Sequence, residues 1–260
     1  MKTLILALTI IFISPCIGAS QTDDTLVIYL SFDDGSGKVA KDITQYGNDG
    51  NFDGESDIKW VDGKFDGGIE LDGQNYVDIP WAESMDIADK SFSVEIWFKY
   101  TEKATNGSLV WGYNVQAGNP QFWIRTEPGS NRIRGLIHDK TSTSIVIQTK
   151  TPHNDGNWHH LAFVRDAKGQ DNLTAYIDGK VEDSQKGKIG SVTEGQAYGI
   201  QLGQSVGKYD LYKGILDEFR LWARALSEDE IKANMTKGKG QIMAVYPAGR
   251  LTTTWGEVRR

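Results

Sequence analysis

Short apolar alternations, each cut off by glycine, asparagine or aspartate, are the feature that most limits how this chain folds. The runs "LVIYLSFD", "GIELDG", "YVDIP", "SFSVEIWFKY", "SLVWGYNV", "QFWIRT", "NRIRGLIHD", "SIVIQT", "WHHLAFVRD", "NLTAYIDGKVED", "YGIQLGQ" and "GILDEFRLW" follow one another along the chain. A period of two sends successive side chains to opposite faces of a sheet. Many such runs with regular turn signals predict an all-β protein, a two-sheet antiparallel β-sandwich or jelly roll. "YIDGKV" is the clearest hairpin, with Asp178-Gly179 as its turn. One short C-terminal helix is expected. Ser227 and Glu230 make a capping box, and the acidic first turn suits the helix dipole. Following the last core strand, this helix is expected to pack on an edge.

The ends read differently. Met1-Lys2, the run "TLILALTIIFI" and then "SPCIGAS" describe a secretory signal peptide over residues 1–20, cleaved after Ala19 or Ser20. The apolar run is short for a transmembrane helix, and no second one follows, so no membrane span is expected once the signal is removed. A lipoprotein reading would acylate Cys16, but Pro15 fits that poorly. Cys16 is the only cysteine, so the mature chain has no disulfides and no thiol chemistry. Removing Lys2 takes the formal charge from −7 to −8. An acidic exported chain without a basic cluster is not expected to bind nucleic acid. The expected location is secreted or cell-surface, extracellular or periplasmic. Residues 21–236 read as one domain, and residues 237–260 as a tail with one peripheral strand, "RLTTTW".

"GILDEFRLW" raises a specific question. Ile215, Asp217, Phe219 and Leu221 share one parity, which points a carboxylate at the core. An ionised carboxylate there is costly unless it is paired, hydrogen-bonded or bound to a metal.

"LSFDDGSG", "DITQYGNDGNF", "WVDGKFDGGIELDGQNYVDIP", "SFSVEIWFK", "GNWHHLAFVRD", "AYIDGKV" and "GILDEFRLWARALSEDEI" occur in this order. Together, over roughly residues 25–236, they resemble the laminin-G-like jelly-roll modules of the concanavalin A-like lectin/glucanase superfamily. The resemblance implies two packed antiparallel sheets, one with a concave face, a glycan or other extracellular ligand, and one structural calcium. Carried over to this chain, the calcium would take backbone oxygens from Ser31 to Gly35 and the carboxylate of Asp217. Asp33, Asp34 and Asp72 are further candidate ligands, since calcium favours oxygens at loop and strand junctions. Ordinary turn chemistry is the alternative for those three. A salt bridge or backbone N–H bonds are the alternative for Asp217.

No enzyme is expected. Glycoside hydrolysis needs two carboxylates at a set separation, and the Glu-x-Asp-x-x-Glu motif of the related glucanases is absent. No serine sits in a Gly-x-Ser-x-Gly elbow. His159 and His160 are adjacent on a strand and point apart. The candidate ligand-binding residues are those of outward parity: Glu95 and Trp97 in "SFSVEIWFK", Trp123 and Arg125 in "QFWIRT", and Arg134 in "NRIRGLIHD". The alternative is that loops cover Trp97 and Trp123, which then form a second small core. The expected function is a secreted non-catalytic module that binds an extracellular glycan or surface protein and holds calcium. A purely adhesive module is the rival, and a hydrolase with unfamiliar residues the more remote one.

Overall fold

The computed structural model describes residues 23–112, 120–168, 171–193, 199–205 and 210–245. The signal segment and "RLTTTW" lie outside them. The strands are β1 (Leu26–Leu30), β2 (Val39–Ala40), β3 (Gly50–Gly54), β4 (Lys59–Asp62), β5 (Gly67–Asp72), β6 (Asn75–Ile79), β7 (Phe92–Lys99) and β8 (Ser108–Gly112). They continue as β9 (Gln121–Thr126), β10 (Ile133–His138), β11 (Ser144–Gln148), β12 (His159–Asp166), β13 (Asp171–Ile177), β14 (Lys180–Gly187), β15 (Ile200–Leu202) and β16 (Lys213–Trp222).

Two antiparallel sheets result. The first runs β14-β13-β12-β7-β16-β5-β4, with β1 also paired to β16. The second runs β11-β10-β9-β8-β15-β6-β3-β2. Between them lies one apolar core, to which β7 contributes Phe92, Val94, Ile96 and Phe98, the parity expected from its alternation. Asp178 and Gly179 take positive φ at the β13–β14 turn, as a two-residue hairpin of the right twist requires.

Two short helices follow the last strand where one was expected: α1 (Glu228–Asn234) and α2 (Lys239–Val245). The Ser227–Glu230 capping box is present. Neither helix sits on an edge. Ile231 of α1 and Ile242 of α2 pack with Leu26, Tyr29, Ala162, Val164 and Trp222 in a second cluster. These side chains stand on the outer face of the first sheet, so the helices roof that face.

The register of β16 overturns the expected parity of Asp217. A β-bulge interrupts its pairing with β7 between Asp217 and Arg220, and Glu218 has φ +55°. A bulge adds one residue and flips the alternation beyond it. Leu216, Phe219 and Leu221 therefore face the core. Asp217 sits opposite Trp97 and Arg220 opposite Glu95, all on the outer face. The bulge also marks a change of partner: before it β16 pairs with β5, after it with β1.

Candidate functional site

The bulge builds the first site. Asp217 is fully buried. Its Oδ2 accepts the backbone N–H groups of Lys64 at 2.8 Å and Phe65 at 3.0 Å, while Oδ1 has no partner. Asp33, at the end of β1, accepts the N–H of Gly67 at 3.0 Å. This bond fills the gap where β16 passes from β5 to β1. The close packing of Gly67 explains its residue type, since a Cβ there would lie 2.5 Å from the Phe32 carbonyl oxygen. Burial pushes the Asp217 carboxyl up to about 8, and the charges of Glu218 and Asp33 add to that rise against the Phe65 and Lys64 N–H bonds.

The four acids proposed for a metal do not converge. Asp34 is exposed and accepts the N–H of Lys41. Asp72 accepts the Ser56 hydroxyl and the Gln74 N–H. Asp72 pairs with Lys213, four positions from Asp217 and so about 13 Å along the strand. Both acids do the turn chemistry that was their alternative reading. Among the described residues, no three His, Cys, Asp or Glu side chains are arranged to hold a metal. What remains is Asp217 with Asp33 near enough for its charge to act on it. A buried carboxylate oxygen without a partner beside a second carboxylate fits a hard cation that prefers oxygen.

The outer face around this site is charged and closed. Arg220 donates to Glu218, to the Tyr29 hydroxyl and to the Lys237 carbonyl between the two helices. Glu95 accepts from Trp222 Nε1 at 2.8 Å and Asn234 Nδ2 at 3.1 Å, and burial raises its pKa. Trp97 lies beneath Phe65, with ring centroids 6.2 Å apart, and beneath the Lys64 ammonium. Glu95 and Trp97 were candidate ligand-binding residues. The structure places them inside the fold, because the helices and the loop before β5 cover their sheet.

The other three candidates meet on the opposite side of the molecule. On the outer face of the second sheet, Trp123 stacks against Trp111 with centroids 6.1 Å apart and an 18° interplanar angle. The guanidinium groups of Arg125 and Arg134 lie 4.4 and 5.9 Å from the Trp123 ring. Both indoles are mostly buried, Trp123 at 7% and Trp111 at 9% exposure, and form a small cluster with Leu136 and Val146 apart from the main core. The covered-aromatic alternative thus describes Trp97 fully and Trp123 largely.

The rest of that face is polar, with Asp78, His138 and Gln201 half-buried and Gln121 buried. In register across β9, β8, β15 and β6 stand Trp123, Trp111, Gln201 and Asp78. Gln201 donates to Asp78 at 3.1 Å, and burial raises the Asp78 pKa. Gln121 and His138 form the adjoining pair. Trp111 Nε1, Gln121 Oε1, Arg125 Nε, His138 Nε2 and Gln201 Oε1 all lack a hydrogen-bond partner. Trp111, Gln121, Gln201 and Asp78 were not singled out from the sequence. Gln201 was findable, as the lone polar residue between Ile200 and Leu202. Trp111 was not, because "LVW" is continuously apolar and a bulge between Ser108 and Val110 shifts its register.

Comparison with known proteins follows from this architecture. A family model, Laminin_G_3 of the concanavalin A-like lectin/glucanases superfamily, matches residues 71–232, more than half of the chain. Human Usherin is 24% identical over 153 residues, 54% of this chain and 3% of Usherin, so the chain spans only a small part of that relative. Domain 4 of AbnA, a GH43 extracellular arabinanase from Geobacillus stearothermophilus, solved with arabinotriose, is similar at TM-score 0.64 and 24% identity. That match covers 80% of this chain and 97% of the domain. The binding domain of Paraclostridial Mosquitocidal Protein 1 aligns at TM-score 0.63 and 19% identity, over 81% of this chain and 51% of that one. The binding domain of Botulinum Neurotoxin DC, in complex with SialylT, aligns at 0.60 and 14%, over 82% and 51%. At these identities the structural likenesses establish the fold. No helix among the described residues is long and apolar enough to cross a membrane.

Proposed function

The chain belongs to the Laminin_G_3 family of the concanavalin A-like lectin/glucanases superfamily, and from that premise we propose a non-catalytic extracellular module that binds carbohydrate. Its ligand would lie on the outer face of the second sheet. The observation that carries this reading is the Trp111–Trp123 pair with the partly exposed Arg125 and Arg134 over it and the half-buried Gln201 and Asp78 beside it. Binding sites for small ligands combine aromatic surface with a few convergent polar groups. The AbnA domain was solved with arabinotriose and the neurotoxin binding domain with SialylT, so the same fold elsewhere holds ligands that include a saccharide.

The non-catalytic part rests on where the carboxylates lie. Glu95 is held by Trp222 and Asn234, and Glu218 by Tyr29 and Arg220, all beneath the C-terminal helices. A pair of carboxylates that hydrolyses a glycoside must flank the scissile bond, and these two are enclosed. A structural calcium ion completes the proposal, with Asp217 and Asp33 as its carboxylates. When bound, the ion would supply charge to offset two close carboxylates and join the ends of β1 and β5 to β16. Asp217 would also keep orienting the Lys64–Phe65 backbone through its other oxygen.

A glycan array probed with the purified chain, with and without calcium, tests the function. Binding to at least one glycan that is weakened by Trp123→Ala supports it. Binding only to proteins would support the adhesive reading instead, and hydrolytic release from a polysaccharide panel would reinstate an enzyme.

A further inference from the structure

We infer that the ligand of the second sheet's outer face is an uncharged, hydroxyl-rich saccharide, a step that rests on reading this face as a carbohydrate site. Two arginines beside an aromatic pair would ordinarily suggest an anionic ligand. Here each already faces acids. Arg125 lies 3.8 Å from Glu127 and 3.9 Å from Asp210, and Arg134 lies 3.5 Å from Glu127. Asp78 adds a further carboxyl to the same face. A sulfate, phosphate or carboxylate brought here would meet these acids and find both guanidinium groups already attracted to them. Such like-charge contacts are costly and act as discrimination against the wrong ligand.

The neutral polar groups of the face point to hydroxyls. Gln201, half-buried, donates to Asp78 from its amide nitrogen, and Gln121 brings a second amide in the adjoining pair with His138. An amide both gives and takes hydrogen bonds, and a sugar hydroxyl matches it on both counts. The face is also extended. From Gln201 on β15 to His138 on β10 it crosses three inter-strand spacings, about 14 Å. That is room for a short oligosaccharide running across the strands.

Calorimetric titration of the full chain at low and high salt tests this, with two panels of oligosaccharides. One panel is neutral (arabino-, xylo- and cello-oligosaccharides), the other anionic (oligogalacturonate and heparin fragments). The expected result is binding to a neutral member with a Kd that changes less than about twofold with salt, as screening predicts for an uncharged ligand. Gln201→Ala and Gln121→Ala should each weaken it about tenfold or more, a loss characteristic of a site built to bond hydroxyls. Unchanged thermal unfolding of both variants separates this loss from misfolding. Salt-sensitive binding to the anionic panel alone would overturn the inference and leave the carbohydrate reading intact. No binding to either panel would remove both.

Discussion

Asp217 Oδ2 accepts the backbone N–H of Phe65 at 3.0 Å and so joins β16 to the loop before β5 across 152 positions of sequence. The same carboxylate holds Lys64 and leaves its second oxygen free. One side chain therefore organises a loop and presents an oxygen to whatever lies beyond it.

Asp217→Ala should lower stability by at least about 1–3 kcal/mol, the cost of leaving buried N–H groups unpaired. It should also abolish any stabilisation by calcium. Calorimetric melting of the native chain with calcium and with chelator, beside the variant under both conditions, checks the two effects separately. Equal melting of the native chain in calcium and chelator would remove the ion from the proposal.

Arg220→Met should cost about 3–5 kcal/mol, because it strands Glu218 as a buried carboxylate. Arg220 and Glu218 are both buried almost completely. Adding Glu218→Gln should restore part of the loss. Urea unfolding of the single and double variants measures the recovery, and strict additivity of the two substitutions would argue against the pair.

Trp97→Ala and Trp123→Ala should behave differently although both remove a buried indole. Trp97 lies at the centre of a roofed sheet between Phe65 and His160, and its loss should cost about 3–5 kcal/mol. Trp123 belongs to a small cluster outside the main core, so its loss should cost less stability and more ligand affinity. Chemical unfolding alongside glycan titration ranks the two.

Asp139 should set part of the acid limb of stability. Burial acts to raise its pKa, but the N–H of Gly190, the Thr141 hydroxyl and the N–H groups of Thr143 and Thr141 hold it down to about 2. A depressed carboxyl contributes stability that is complete above its unfolded pKa of about 4 and is lost as pH falls toward the folded value. Asp139→Asn should therefore narrow the stability difference between pH 4 and pH 2. A variant whose pH profile parallels the native chain across that range would contradict the assignment.

The parts of this fold legible in the sequence are those where local pattern and tertiary context agree. The alternation of β7, the Asp178-Gly179 turn and the Ser227–Glu230 cap each depend on neighbours a few residues away. Asp217 was misplaced because Glu218 carries positive φ, and nothing in "LDEFR" marks the extra residue. Glu95 and Trp97 looked like Trp123 and Arg125 because strand parity distinguishes core from outer face, not one outer face from another. What separates them is the cover over Glu95 and Trp97, Asn234 of α1 and the Lys64–Phe65 loop before β5, brought there from distant parts of the chain. Asp33 comes near Asp217 because β1 ends and β5 begins at the same bulge, a coincidence of three strands no single segment contains.

β1 is the first strand of the sandwich and β16 the last, yet Tyr29 is in register with Arg220 and bonds the guanidinium 191 positions later. An interior strand of the first sheet is thus the last of the described strands to be synthesised. Until it arrives, β7 and β5 each present an unpaired edge, and β1 has no partner strand. Contacts of such long sequence separation close late and slow folding, and open strand edges invite pairing with other chains. For this protein, escape from self-association during export should depend on how quickly β16 and the two helices behind it seal that gap.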